Sequence, residues 1–250
     1  MKLSIYLVET GEYPNRSQAH NAIKERKVMV NGKIVTKDGF EVDENDRIQV
    51  FKEEVSYVSR GGFKLREALN TFKISLQNMT VLDIGASTGG FTDCCLQNGA
   101  AKVYAYDVGH DQLAEKLQKD DRVISREGVN GRELYRNSFD EKIDFICMDV
   151  SFISCEKLMA NIADILHDQG KTVILFKPQF EVGPAYLNNK GVVKNAEIVN
   201  RKLSECIGEA ARLHLKHRGT VKSPIKGQNG NQEYLLYFEK EELKCSEIST

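Results

Sequence analysis

Thr80-Val81-Leu82-Asp83-Ile84-Gly85-Ala86-Ser87-Thr88-Gly89-Gly90-Phe91-Thr92-Asp93 is a short apolar run that carries Asp83, breaks at Gly85 and opens a new segment at Gly89 and Gly90. The pattern predicts a strand that turns sharply into a helix, the local geometry of a nucleotide cradle. Glycine accepts backbone angles that side chains forbid and lets the main chain approach a ligand, while a helix start presents unpaired N–H groups. A dinucleotide fingerprint would read G-x-G-x-x-G, but Ser87 stands where its second glycine should, which leaves less room for a pyrophosphate. Asp83, just before the first glycine, is instead placed to face a cationic amino-acid group such as S-adenosylmethionine carries.

Further along, Val103-Tyr104-Ala105-Tyr106-Asp107 reads as a second strand ending in a carboxylate, where doubly wound folds grip a ribose diol. Val123-Ile124-Ser125 predicts a third strand, followed by a loop, Arg126-Glu127-Gly128-Val129-Asn130, at the height of an adenine. Lys142-Ile143-Asp144-Phe145-Ile146-Cys147-Met148 delivers Asp149 at its carboxyl end, and Thr172-Val173-Ile174-Leu175-Phe176 delivers Lys177. Ligands of open α/β sheets bind at the carboxyl ends of the strands, so the glycine turn, Asp107, Asp149 and Lys177 are expected on one edge. The expected cofactor contacts are Asp83, Gly85, Ala86, Ser87, Gly89, Gly90 and Phe91 in the turn, Asp107 and Val108, Glu127 and Val129, and Asp149. A lysine that closes an apolar run has no packing reason to be there and is a candidate for a shifted pKa. Residues 179–194 read as a loop over this edge, 196–216 as a helix, and the chain then returns through a hairpin that turns at 227–230. Glu233 opens the last strand and by itself reads as a surface residue.

At 250 residues the chain can form one full α/β domain and one small module. A net charge of −1 gives no general signal for nucleic acid, so such a signal must come from charge segregation. The longest apolar runs are of about five residues, whereas a membrane helix needs about twenty. The N-terminus is charged too early for a signal peptide, and a cytoplasmic protein without membrane segments is expected. The six cysteines show no C-x-x-C spacing and read as reduced core residues. His214 and His217 could share a helix face, but no third ligand lies nearby, so no metal site is expected.

The first residues predict a short helix through Leu3, Tyr6 and Leu7, a second helix after Pro14-Asn15, and a hairpin Val28-Met29-Val30, Asn31-Gly32, Lys33-Ile34-Val35. From Arg16 to Lys37 six basic residues face one acid, whereas from Asp38 to Glu54 two basic residues face seven acids. Such a module can present a positive face to phosphate although its total charge is near neutral. Arg16-Ser17-x-Ala19 leading into Val28-x-Val30-Asn31-Gly32 resembles the small RNA-binding domain named after ribosomal protein S-four, which implies RNA contacts at Arg16, Lys24, Arg26, Lys27 and Lys33. Tyr57-Val58-Ser59-Arg60-Gly61-Gly62-Phe63 reads as a hinge, and a helix follows over 64–69 in which Lys64 alone reads as a solvated residue.

The sequence as a whole is similar to the TlyA family. The likeness is carried by Ser59-Arg60-Gly61-Gly62, Val81 to Asp93, Asp149-Val150-Ser151-Phe152-Ile153-Ser154 and Lys177-Pro178-Gln179-Phe180-Glu181. It implies a Rossmann-like, S-adenosylmethionine-dependent methyltransferase sheet of the FtsJ type behind a small α+β RNA-binding domain. The domains would be 1–57, a linker at 58–63, 64–240 and a charged tail at 241–250. The implied activity is rRNA cytidine-2′-O-methylation, on rRNA or ribosomal subunits, with a catalytic set at Lys64, Asp149, Lys177 and Glu233 and a further RNA contact at Arg60. Lys194-Asn195 departs from the Arg-Asp common in the family and puts one loop contact in doubt. A membrane-lytic protein lacks its apolar segment, a nicotinamide enzyme is disfavoured by Ser87, and a non-catalytic assembly factor is opposed by the retained tetrad.

Overall fold

Two groups of apolar side chains alternate along the strands predicted above, and they fix the layers of the larger of two units. The computed structural model describes residues 1–37, 39–43, 45–50, 56–227 and 229–242. Its units are Met1–Ser56 and Tyr57–Thr250.

The smaller unit contains α1 (Leu3–Glu9), α2 (Arg16–Lys24), β1 (Val28–Val30), β2 (Lys33–Ile34) and β3 (Ile48–Val50). Asn15 caps α2 by accepting the Gln18 N–H at 3.0 Å. Val30 lies opposite Lys33, so Asn31-Gly32 is a two-residue hairpin turn, as its sequence predicts. β3 pairs antiparallel with the other side of β1, a strand that the sequence pattern does not reveal. Leu3, Leu7, Ala19, Ala22, Ile23, Val28 and Val30 form the core. Residues 38, 44 and 51–54 of the acidic stretch, and residue 55 after it, lie outside the described residues.

The larger unit continues with α3 (Gly61–Phe72), β4 (Thr80–Ile84), α4 (Gly90–Gln97), β5 (Lys102–Tyr106), α5 (Glu115–Gln118), β6 (Val123–Arg126) and β7 (Ile143–Met148). It ends with α6 (Glu156–Ile165), β8 (Leu166–Phe176), α7 (Pro178–Glu181), α8 (Ala196–Arg212), β9 (Leu215–Lys222) and β10 (Tyr234–Lys240). Seven strands form one sheet in the order β6-β5-β4-β7-β8-β10-β9. The first five are parallel, and β10 runs antiparallel to both neighbours. Strand order reverses direction at β4 and β7, which puts the ligand-binding crevice at their carboxyl ends. Along β8, Val173 and Leu175 join the core under α3 and α4, whereas Ile174 and Phe176 join the core under α6 and α8. A period of two on a sheet buried on both faces thus produces a three-layer α/β/α unit.

The segment expected as a linker, 58–63, and the residue before it begin with side chains held on the larger unit. Tyr57 and Val58 pack against the core beneath α3 and α4, and the Val58 N–H donates to Asp93 Oδ2 at 2.7 Å. α3 begins at Gly61, three residues before the predicted start, because its first turn lies directly on α4. A Cβ at Gly90 would stand 2.3 Å from Ser59 Oγ and 3.0 Å from the Gly62 nitrogen. The predicted helix over 196–216 ends at Arg212: His214 has φ 59, a left-handed conformation that turns the chain, and Leu215 already enters β9. His214 and His217 therefore share no helix face. Residues 179–194 include α7 and a 3-10 turn at Pro184–Tyr186. Asn195 caps α8 by accepting the Glu197 and Ile198 N–H groups, just as an aspartate at that position would. Among the described residues Cys94, Cys95, Cys147, Cys155 and Cys206 are free and buried; Cys245 and the tail from 243 lie outside them, as does residue 228 of the hairpin turn.

Candidate active site

Register builds the centre of the site. Met148 pairs with Ile174 in the parallel ladder, and Tyr234 pairs with Phe176 in the antiparallel one. The residues just past these pairs, Asp149, Lys177 and Glu233, therefore emerge at the same edge of three adjacent strands. Lys177 Nζ lies 2.5 Å from Asp149 Oδ1, an ion pair without hydrogen-bonding angles, and donates to Ser151 Oγ at 2.9 Å. Lys64, one turn into α3, donates to Glu233 Oε2 at 2.6 Å. Lys177 is 8% exposed and Glu233 2%. Among the described residues the Lys177 amine thus donates one hydrogen bond, to Ser151, and has Asp149 as its ion-pair partner.

All four residues line a cavity of about 560 Å³, whose rim includes Arg60, Phe152, Gln179, Lys226 and Asn229. A second cavity of about 460 Å³ is lined by Asp107, Val108, Gly109, Val129 and Asn130 among others. The two share Gly85, Ser87, Asp149, Ser151 and Phe152. The glycine turn is thus a wall common to a cofactor-sized cavity and a cavity containing two lysine–carboxylate pairs. Gly85 has φ +83, and a Cβ there would stand 2.5 Å from the Asp149 carbonyl oxygen, so glycine is required for the turn to lie against the end of β7. Asp107 fixes the cradle from the other side, accepting the Ser87 N–H at 2.8 Å and the Gly109 N–H at 2.7 Å.

The remaining predicted residues are placed as follows. Gly85, Ala86, Ser87, Gly90 and Phe91 line the first cavity, and Val108, Val129 and Asp107 line the second. Gly89 lines neither and packs against Leu113 and Leu117. Asp83 is fully buried and also lines neither cavity; it accepts the Thr92 hydroxyl at 2.7 Å and leaves Oδ1 without a partner. Burial pushes its pKa up to about 7, against the hydrogen bond from Thr92 and with help from the charge of Asp149. Glu127 lines neither cavity; it accepts the Asp111 and Gln112 N–H groups at 2.7 and 3.2 Å, and these bonds lower its pKa. These two bonds tie the loop at Asp111 and Gln112 to the end of β6.

In the N-terminal unit Arg16, Lys24, Arg26 and Lys33 are exposed, whereas Lys27 is half-buried and paired with Glu25 at 2.9 Å.

Sequence reasoning assigns no role to Ser151, Phe152 and Gln179. Phe152 is 91% exposed, holds φ 64 and touches the Phe180 ring at 5.2 Å. An aromatic side chain in left-handed backbone and in water is neither core nor ordinary surface. In the sequence it stands three residues past Asp149, inside a stretch that carries the family likeness but has no regular pattern. Gln179 Oε1 is buried without a partner beside the first cavity.

A Rossmann-like sheet with a glycine cradle opening onto paired lysines and carboxylates defines a methyltransferase-type domain. The chain belongs to the FtsJ-like methyltransferase family, which matches residues 57–240; an S4 domain matches residues 1–48. It is 41% identical to hemolysin A of Brachyspira hyodysenteriae over 95% of this chain and 99% of that protein. It is 36% identical to the 16S/23S rRNA (cytidine-2′-O)-methyltransferase TlyA of Mycobacterium tuberculosis over 93% of this chain and 87% of that protein. A solved structure of a hemolysin-designated protein from Streptococcus thermophilus superposes with a TM-score of 0.74 at 40% identity, covering 97% of this chain and 89% of that one. Among the described residues no helix is long and apolar enough to cross a membrane.

Proposed function

We propose that the protein transfers a methyl group from S-adenosylmethionine to the ribose 2′-oxygen of a cytidine in rRNA, in the cytoplasm, with the N-terminal module holding the RNA. The observation that carries this reading is the shared wall: Gly85, Ser87 and Asp149 border both the cradle cavity and the cavity of the two lysine–carboxylate pairs. The residues present fit the cofactor. The second cavity is lined by Asp107, whose remaining lone pairs suit a ribose diol, and by Tyr106, whose buried hydroxyl has no partner. The unpartnered Oδ1 of Asp83 lies behind the same turn and favours a nearby cation. When bound, S-adenosylmethionine supplies an electrophilic methyl on a positively charged sulfur.

A ribose hydroxyl is a poor nucleophile, so the protein must hold it in line and manage its proton. Lys177, locked between Asp149 and Ser151, is the group placed to do so. As a neutral amine it accepts the hydroxyl proton; as an ammonium it orients the hydroxyl and stabilises the oxyanion that develops. Lys64 and Glu233 close the other side of the cavity and, being paired, add no net charge. Phe152 offers a ring face on which an unstacked base can lie. The cationic face of α2 and the following turn contributes phosphate contacts without entering the chemistry. The test is to map ribose methylation across rRNA from cells with and without the gene, then to repeat the transfer with purified protein on naked rRNA and on subunits. A cytidine 2′-O-methyl that disappears with the gene and returns in the purified reaction is expected; an unchanged map would refute the assignment.

A further inference from the structure

Two loops carry the groups that meet in the first cavity, and they are joined pair by pair. Lys177 meets Asp149 and Ser151, Phe180 meets Phe152, and Glu181 meets Ser154 and Cys155. Each step along the segment after β8 is matched by a step along the β7–α6 loop. The last of these contacts is of a different kind, because Glu181 lines neither cavity. Its Oε2 accepts the Ser154 hydroxyl at 2.7 Å and its Oε1 accepts the Cys155 N–H at 2.9 Å, both charge-assisted bonds. Cys155 gives α6 no side-chain cap, so a carboxylate from the other loop closes that helix start.

We propose that Glu181 is a positioning residue of the transfer reaction: it buckles the β7–α6 loop onto α7 and so keeps Asp149, Ser151 and Phe152 in register with Lys177. The proposal rests on the methyltransferase reading above. Residues 149–155 precede α6 and lie outside helix and strand. Phe152 has φ 64, which an aromatic residue keeps only where its surroundings over-determine it. The buckle supplies that determination at the far end of the loop, as the Lys177 contacts do at the near end. A capping residue alone would affect how much protein is folded. A buckle also affects how fast folded, saturated protein transfers, since an error of about 1 Å in a reacting group costs on the order of a hundredfold.

The test is single-turnover methylation of rRNA at saturating cofactor and RNA, with cofactor affinity and thermal midpoint measured on the same preparations. Glu181→Ala is expected to lower the transfer rate at saturation by roughly 10- to 100-fold, whether or not cofactor affinity also falls, because Asp149, Ser151 and Phe152 border the cofactor cavity as well. Glu181→Gln keeps an oxygen for the Cys155 N–H and offers an amide N–H to Ser154 Oγ, so it should restore most of the rate. Ser154→Ala removes one arm and should fall between, and these two milder variants carry the test if Glu181→Ala does not fold. A lowered thermal midpoint with a wild-type rate in Glu181→Ala would overturn the proposal and leave a helix cap. Glu181→Gln as slow as Glu181→Ala would also overturn it, because charge rather than geometry would then be at work. A wild type that transfers no methyl at all would overturn the enzymatic reading together with this one, and so is distinguishable from a failure of the buckle alone.

Discussion

Lysine serves in both halves of the molecule under opposite constraints. In the catalytic unit Lys177 is 8% exposed and tied to Asp149 and Ser151, and Lys64 is tied to Glu233. In the N-terminal unit Arg16, Lys24, Arg26 and Lys33 extend into solvent. A held, desolvated amine acts at a single atom, because its position is set in advance and little water screens it. A solvated one acts on phosphate in general, through the release of counterions, and needs no exact position. Removal of a cation should therefore be abrupt and local in its effect in one unit, graded and salt-dependent in the other.

The largest effect is expected at Lys177. General-base and electrostatic contributions each run at about 10²- to 10⁴-fold, so Lys177→Ala should reduce single-turnover methylation at least about a hundredfold while cofactor and RNA binding stay near wild type. The pH profile separates its two roles: a neutral base gives a rate that rises with pH to the pKa of the lysine, whereas a charged lysine gives no such rise. A variant that kept most of its rate would move the chemistry to Lys64 or to positioning alone.

Asp83 sharpens the comparison from the acidic side, since it is held without a cation. Its folded pKa of about 7 lies above the ordinary value of 3.8, so the folded state binds the proton more tightly than the unfolded one. Its contribution to stability is complete below about pH 4, is lost as pH rises towards 7 and is constant above that. Asp83→Asn, which cannot ionise, should gain stability relative to wild type by a few kcal/mol across this window, at about 1.4 kcal/mol per pKa unit. Denaturant titrations of both proteins from pH 4 to 8 measure it. A constant difference would mean that Asp83 titrates normally.

A somewhat smaller effect is expected at Asp107, which accepts two backbone N–H groups besides facing the second cavity. Asp107→Ala should weaken S-adenosylmethionine binding by about 1.5 to 3 kcal/mol, the range for charge-assisted hydrogen bonds. Calorimetry on the folded variant checks it, and unchanged affinity would leave Asp107 as a brace for the turn alone.

These sites are not equally legible in the sequence. Asp149 and Lys177 can be read because each terminates its own apolar strand and the edge rule then brings the strand ends together. Lys64 and Glu233 lie 169 residues apart; their pairing depends on the register of β10 against β8 and on the close approach of α3 to α4. Neither is a local pattern, and only family resemblance points to them. Residues 57–63 look like a hinge because two glycines suggest freedom, whereas Gly62 makes room for the Tyr57 side chain and Gly90 lets the backbone at Gly61 and Gly62 approach α4. The backbone bonds of Glu127 to Asp111 and Gln112 are not legible in the sequence, because nothing there shows which loop N–H groups a carboxylate will meet.

The mildest variants test the solvated half of the comparison. Replacing Arg16, Lys24 and Arg26 together by alanine should weaken RNA binding and flatten its salt dependence by roughly 0.7 to 0.9 in log–log slope for each phosphate no longer neutralised. Cofactor affinity and the methylation rate at saturating RNA should not change. Lys27 belongs to the same basic run but is half-buried and paired with Glu25 at 2.9 Å, so part of its charge is already compensated. Lys27→Ala should change the slope less than replacement of Lys24, although the two stand three residues apart. Filter binding across a salt series resolves both slopes. Equal slopes for the two single variants would show that pairing with Glu25 does not withdraw Lys27 from the RNA, and a triple variant with the wild-type slope would reduce the basic face to an ordinary solvated surface.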